Sequence, residues 1–494
     1  MATHEHTIND ALAATLRDTR RVWNSANVVI SENTGLLKGS SKRPDILVLE
    51  PFVSPVVIEA EIGPALSVEV DTISRLGSEL RNTGRMILSS VSVRYPKRLV
   101  SKQGKELRKE LDKSTDLEFA LYTGITPSNW TRWPKTGWIH GSVSALSLLV
   151  QTAAVPPDVI DAAANQLVFG VTEAAGLLDE LSLKFPGAIQ KICEQLCQED
   201  SEQTRRMAAT ILANALVFQE SLAGSTGDLA NVKSLEELRG SKTGLTKATI
   251  LLEWRKILKV NYWPIFDIAR RILELVPASE TSPILDRLSK TAANLMENRL
   301  MRSHDLTGAV FQRLIVDRKF LAAFYTTPSS AALLIGLAVL PNKTPGGGSW
   351  ASAQDVKAIR IGDFACGTGT LLSTAYQRIG QLHELSGGDS EAIHPEMMAN
   401  CIIGCDVLPA AAHLTASMIS GAHPTVKYYQ SRIFTLAYGR QANGGIALGS
   451  LDLLDSQRKL EILDITAKVA GAFGEKESEL WMEIPDASFD LVIM

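Results

Sequence analysis

The stretch that most restricts how this chain can fold is Ile359-Arg360-Ile361-Gly362-Asp363-Phe364-Ala365-Cys366-Gly367-Thr368-Gly369-Thr370-Leu371-Leu372. A short apolar strand ends at Asp363, a tight loop follows, and a helix opens on Leu371-Leu372. Glycines 367 and 369 permit positive φ and let a ligand come close to the backbone. The N-terminus of the following helix faces that ligand with its partial positive charge. In a doubly wound sheet this arrangement is the ligand end of the first strand. The string lacks the Lys-Ser/Thr of a phosphate-binding P-loop, which argues against ATP hydrolysis, and it lacks the third glycine of a dinucleotide fingerprint.

The chain around this loop is long enough, at 494 residues, for about three domains. Hydrophobic residues make up 45% and charged residues 21%, the balance of a globular protein rather than a disordered or disulfide-built one. Lys+Arg is 50 and Asp+Glu 54, a net charge of −4, so any nucleic-acid surface must be local. The longest apolar run, Ala331 to Leu340, is half of the roughly 20 residues a bilayer needs, and Met1 to Asp10 lacks a signal-peptide pattern. These features predict a cytoplasmic protein with no membrane partner. Cys193/Cys197 and Cys401/Cys405 are each four apart, but no histidine stands close by, and the five cysteines read as reduced, buried thiols.

Three zones follow from the pattern. Residues 1–150 mix short apolar runs with Gly, Pro and charge, as an α/β domain does. Residues 151–300 are rich in Ala, Leu, Glu and Gln, and Ile211–Phe218 and Trp254–Leu275 keep helical periodicity, which predicts a helical middle. Trp254, Tyr262, Trp263 and Phe266 follow helical spacing and read as core. Residues 301–494 return to alternating strand and helix, with an exposed loop over Pro341–Gly348.

Asp-x-Ala-Cys-Gly-Thr-Gly resembles the first motif of S-adenosylmethionine-dependent N6-adenine DNA methyltransferases, with Phe364 where the family usually has Pro. Phe324-Tyr325-Thr326-Thr327-Pro328 resembles the family's Tyr-Thr-Pro motif, and Asp305–Phe311 its lead-in helix. Ile402-Ile403-Gly404-Cys405-Asp406 is similar to the second strand with its terminal acid, and Leu448–Leu454 to the third motif. The resemblance implies that Tyr325, Thr326 and Pro328 wrap the methionine end of the cofactor. It implies that Asp363, Ala365, Gly367 and Gly369 form its loop, that Asp406 accepts from the ribose hydroxyls, and that Asp452 contacts its adenine ring. The gap from loop to second strand exceeds the customary one of about 20 residues, and Ser386–Pro395 reads as a loop insertion. Phe489–Met494 reads as the fourth strand, which in the family runs into Asn/Asp-Pro-Pro-Tyr/Phe. No such string occurs in the sequence, so the expectation is an incomplete Rossmann-like methyltransferase domain, and a chain that by itself does not methylate.

In the first zone, Arg43–Leu49 and Val56–Ile62 are strand-like and joined as in a hairpin. Glu59 and Glu61 project from one face because side chains alternate, and Asp45 meets them from the neighbouring strand. Three carboxylates so placed suit Mg²⁺; a polar edge of a small sheet is the other reading. The pattern resembles the Pro-Asp…(Asp/Glu)-x-Lys nuclease fold, with Glu61 where Lys is usual. That resemblance implies Asp45, Glu59 and Glu61 as catalytic residues, with Asp45 and Glu59 on the Mg²⁺. Met86–Val93 and Leu117–Tyr122 read as further strands. The basic run from Lys97 to Lys113, diluted by Glu106, Glu110 and Asp112, reads as a solvated helix face, and Arg132-Trp133-Pro134-Lys135 as loop packing.

The expected order is thus an α/β nuclease-like domain (1–150), a helical connector (151–300) and the N-terminal part of a methyltransferase domain (301–494). The resemblance implies a restriction–modification type of enzyme that transfers a methyl group to adenine N6 in double-stranded DNA, with the base flipped out of the stack. It leaves open a specificity or restriction partner subunit. Two other classes stay open: a methyltransferase acting on RNA or protein, and a non-catalytic DNA-binding protein with a degenerate nuclease domain.

Overall fold

A computed structural model of the chain describes residues 5–18, 29–31, 37, 43–49, 55–63, 67–81, 86–151, 153, 157–196, 198–223, 227–297, 326, 328–423, 426–428, 431–440, 445–454, 460–463, 481–482 and 488–494. It is a mixed α/β protein with two compact units. One comprises Met1–Asp161 with Glu297–Ser303, the other Ala162–Met296 with His304–Met494. The helical middle and the C-terminal sheet therefore share a unit, where the sequence pattern divides them at 300.

The first unit opens with α1 (Glu5–Asp18), followed by β1 (Val29–Ser31), β2 (Ile46–Val48), β3 (Val56–Ile62), α2 (Ser67–Ser74) and β4 (Ser89–Tyr95). Then come α3 (Gly104–Lys113), β5 (Leu117–Thr126), β6 (Asn129–Trp133), β7 (Ile139–Gly141) and α4 (Val143–Gln151). The sheet order is β1-β2-β3-β4-β5-β6, with β7 also on β5. Among the described residues of this sheet only β3 and β4 are parallel, and α2 is the crossover that parallel neighbours need. Alternation along β3 sends Val56, Ile58 and Ala60 into a core with Ile8, Leu12 and Leu16 of α1, Leu107 and Leu111 of α3, and Leu146 and Val150 of α4. Val57 goes to the opposite face with Leu37, Leu47, Leu80 and Ile87. Thr72 of α2 bonds Ser92 (2.8 Å), and its carbonyl accepts from Ser90, which fixes the crossover against β4. Two cations of the basic run are ion-paired: Arg98 with Glu110 and Asp116, and Lys102 with Glu106.

The second unit begins with seven helices: α5 (Pro157–Lys184), α6 (Pro186–Gln195), α7 (Glu202–Leu222), α8 (Leu235–Gly240), α9 (Lys247–Val260), α10 (Trp263–Leu275) and α11 (Ala278–Glu297). Trp254, Tyr262 and Phe266 are fully buried here, and the Trp254 indole donates to Gln219 at 2.9 Å. After α12 (Pro328–Ala338) and α13 (Ala353–Ala358), strand and helix alternate as β8 (Ile361–Asp363), α14 (Thr370–Leu385), α15 (Ser390–Glu396), β9 (Ile402–Asp406), α16 (Pro409–Ser420) and β10 (Ile433–Leu436). β11 (Tyr438–Arg440) and β12 (Ile446–Leu448) form a hairpin, and β13 (Leu460–Leu463), β14 (Trp481–Met482) and β15 (Leu491–Val492) complete the main sheet. Its order is β14-β13-β10-β9-β8-β15, parallel from β10 to β15. Alanines 410, 411, 412 and 416 let α16 lie between this sheet and helices α7 and α10.

Among the described residues no helix is long and apolar enough to cross a membrane. Cys193, Cys366, Cys401 and Cys405 are buried free thiols; Cys197 lies outside the described residues.

Candidate functional site

The chain steps from β8 to β9 to β10 in one direction, and β15 then lands on the other side of β8. The connections part at β8, so the carboxyl end of that strand opens a crevice, the place where such sheets bind ligands. Asp363 is the last residue of β8 and is 1% exposed. It accepts the Ala365 N–H at 3.1 Å. Burial, with Asp406 nearby, pushes its carboxyl up to about 7.

The loop after Asp363 is tied down from three sides. The Cys366 N–H donates to the Cys405 carbonyl (2.9 Å), and the Gly369 N–H to the Cys366 carbonyl (2.7 Å). The Thr415 hydroxyl on α16 donates to the Gly367 carbonyl (2.9 Å). Both glycines have positive φ, 54° at Gly367 and 83° at Gly369, but for different reasons. A Cβ on Gly369 would lie 2.7 Å from Thr415 Cγ2, so that glycine serves helix packing. A Cβ on Gly367 would meet nothing within 4 Å, so that glycine presents bare backbone to open space.

Asp406, at the end of β9, holds the same loop. Its Oδ2 accepts the Gly367 N–H (2.9 Å) and its Oδ1 the Leu408 N–H (2.8 Å). Burial raises its carboxyl above the ordinary range against the pull of those donors. Asp452 lies in the short 3₁₀ turn Gly449–Leu454 and accepts the Leu448 N–H at 2.8 Å. Gly449 seats that turn at the carboxyl ends of the strands: its N–H donates to the Ala437 carbonyl, and a Cβ there would lie 2.8 Å from Val407. Three acids expected from the sequence thus come to one end of one sheet.

Thr326 is half-buried, and Pro328 opens α12, which packs on α14. Tyr325 and the stretch Asp305–Phe311 lie outside the described residues, as does the side chain of Pro328. Ser386–Pro395, read as a loop, contains most of α15, because the Asp389 side chain caps the N–H groups of Glu391 and Ala392. Two features escaped the sequence reading. Thr415 carried no signal in a run of small residues. Phe364 meets Phe489 edge-on, with ring centroids 5.4 Å apart, over Gly362, where a Cβ would crowd both rings at 3.0 Å.

In the first unit, β2 and β3 pair with Ile46 opposite Ile58, which continues to Asp45 opposite Glu59. Asp45 accepts the Ala60 N–H at 2.8 Å and lies within hydrogen-bonding reach of Glu59. Glu59 is clamped by Arg75, whose Nε is 2.5 Å from its Oε1. Burial, countered by Arg75 and reinforced by Asp45, pushes Glu59 up to about 8. Glu61 accepts from the Ser67 hydroxyl and the Val68 N–H, both 3.1 Å, at the start of α2. Glu5 of α1, which the sequence reading did not single out, adds its negative charge near Asp45 and Glu61, and burial raises its carboxyl. Among the described residues no three His, Cys, Asp or Glu side chains could hold a metal ion together. The expected Mg²⁺ does not fit this arrangement: among the described residues the acids do not converge as a three-ligand set, and Arg75 already holds Glu59 Oε1.

No family model and no curated protein matches the chain. Solved structures similar to it include a DrdV–DNA complex, with TM-score 0.38 and 13% identity over 87% of this chain and 40% of that one. The type IIG restriction endonuclease BpuSI follows at TM-score 0.27 and 11% identity, over 86% of this chain and 40% of that one. A nuclease-deletion mutant of the type ISP restriction–modification enzyme LlaGI, in complex with a DNA substrate mimic, gives TM-score 0.25 and 13% identity over 57% of this chain and 21% of that one. The chain therefore spans about 40% of the length of the first two. At such TM-scores the likeness carries no weight for the chemistry of the site.

Proposed function

We propose that the second unit binds S-adenosylmethionine and belongs to a methyltransferase acting on adenine N6 in DNA, within a restriction–modification system. The observation that carries this reading is the loop at the carboxyl end of β8, where Gly367, held through its N–H by Asp406, turns bare backbone to open space just after the buried Asp363. Two carboxyl groups raised by burial suit a cationic ligand, which would offset the cost of ionising them there. When bound, S-adenosylmethionine supplies an electrophilic methyl group on a sulfonium sulfur.

The chain's own residues would hold and orient that group. Asp406 keeps a lone pair on each oxygen beyond the two backbone bonds it accepts, which suits a vicinal diol. Gly367 admits the ligand to the backbone, and Gly369 sets the α14 N-terminus behind the loop. Asp363 supplies the counter-charge and Ala365 carries the N–H that orients it, and the motif resemblance implies that Tyr325, Thr326 and Pro328 would wrap the methionine end of the cofactor. Asp452, in its short turn, would contact the adenine ring of the cofactor, as the motif resemblance implies. Double-stranded DNA as the substrate rests on the family resemblance of the motifs.

Calorimetric titration of the full chain with S-adenosylmethionine tests the cofactor. Binding that Asp406→Ala weakens supports the reading, and no binding by the wild-type chain overturns it. Because the chain lacks the Asn/Asp-Pro-Pro-Tyr/Phe string, methyl-labelled cofactor is offered with duplex DNA, RNA and protein to the chain supplemented with that segment, and this decides the substrate. Label on adenine of DNA supports the reading, and label on RNA or protein moves it to that class.

A further inference from the structure

We propose that Arg75 stands in the first unit where a divalent cation would otherwise sit, so that the Asp45–Glu59 pair takes no metal ion while Arg75 is seated. The guanidinium bridges β3 to the segment before β2. Its Nε lies 2.5 Å from Glu59 Oε1, and its Nη2 donates to the Arg43 carbonyl at 3.1 Å. Both side chains are buried, 3% and 7% exposed, so this is an internal ion pair rather than a surface contact.

The other two acids each have one oxygen on the protein's own donors. Asp45 Oδ2 receives the Ala60 N–H, and Glu61 Oε2 receives Ser67 and Val68. A hard divalent ion needs several converging oxygens, and it would have to share this small space with a guanidinium that does not lose its proton. Arg75 is also held by its backbone. Its N–H donates to the Thr72 carbonyl, and two residues on, Gly77 donates to the Ile87 carbonyl. Gly77 has φ of 78°, and a Cβ there would lie 2.3 Å from the Ile125 carbonyl oxygen, so the turn carrying Arg75 is pressed against β5. The arginine is therefore built in, and the acidic pair is balanced by an organic cation belonging to the protein.

Manganese binding to the full chain, read by electron paramagnetic resonance of the free ion, tests this. Wild type and Asp45→Asn should bind the same number of Mn²⁺ ions. Arg75→Met should bind one more than wild type, and Arg75→Met/Asp45→Asn should lose that extra ion. A wild-type chain that binds one more Mn²⁺ than Asp45→Asn overturns the proposal. So does a folded Arg75→Met chain that gains none. Should Arg75→Met fail to fold by circular dichroism, the wild-type and Asp45→Asn comparison still decides whether the pair takes a metal ion.

Discussion

At the scale of single residues, the two loop glycines look alike in sequence and differ in what they do. Gly369→Ala puts a methyl group against Thr415 at positive φ, and should cost about 2–4 kcal/mol from left-handed strain and overpacking together. Gly367→Ala meets open space and should cost only about 1–2 kcal/mol, yet it should abolish S-adenosylmethionine binding because the methyl group fills the ligand's place. Chemical denaturation beside calorimetric titration separates the two; equal effects on stability would sink the distinction. Asp363 gives a pH prediction. Its ordinary value is 3.8 and its folded value about 7, so between these the folded chain holds a proton that the unfolded chain releases. The stability this contributes is fully present below the lower value and is lost as pH rises through about 7. Asp363→Asn should remove that loss, so the variant without ligand gains on wild type from pH 5 to 8, as urea denaturation across that range would read.

At the scale of elements, the seam between α7 and α16 rests on one amide. The Asn214 side chain bonds His413 Nε2 at 2.8 Å and also donates to Ser417, while His413 Nδ1 faces the Pro264 carbonyl. This fixes a neutral imidazole, and burial drives its value from 6.5 down to about 4. The unfolded chain takes the proton over that window and the folded chain does not, so stability is lost as pH falls from 6.5 to 4. His413→Gln should flatten this limb, and Asn214→Ala, which leaves two buried groups short of a partner, should cost about 1–3 kcal/mol at neutral pH. Guanidinium titrations at several pH values check both. None of this was legible in the sequence, because Asn214 and His413 meet only when a helix packs on a sheet. What was legible was local: the strand–loop–helix at 359–372, the alternation that put Glu59 and Glu61 on one face, and the periodicity of α7. Arg75, Glu5 and Thr415 were hidden because each acts on a loop or strand far away in sequence. Strand lengths shifted for a related reason: β4 starts at Ser89 rather than Met86, and β5 runs on to Thr126, each set by its neighbours' register.

At the scale of the whole molecule, the net charge of −4 argues against a general electrostatic grip on nucleic acid, so the proposed DNA contacts would come from local surfaces. The two compact units each carry an acidic site built on a different logic. In the second, Asp406 organises a loop around open space; in the first, Glu59 is closed on Arg75. Energetic coupling between two sites requires states that both of them bias, and the hydrogen bonds described for each site join residues of its own unit. Asp406→Ala removes the acceptor of two backbone N–H groups and of the proposed ribose contacts. It should therefore weaken S-adenosylmethionine binding by about tenfold to a hundredfold, the worth of one lost charged hydrogen bond. Asp45→Asn exchanges an acid for its isostere in the other unit and should leave that affinity within about twofold, well under the 1.4 kcal/mol of a tenfold change. Titrating the three full-length chains side by side reads both effects. Loss of cofactor affinity in Asp45→Asn equal to that in Asp406→Ala would mean that the acids of the first unit govern the crevice of the second, and the assignment of one site to each unit would fall.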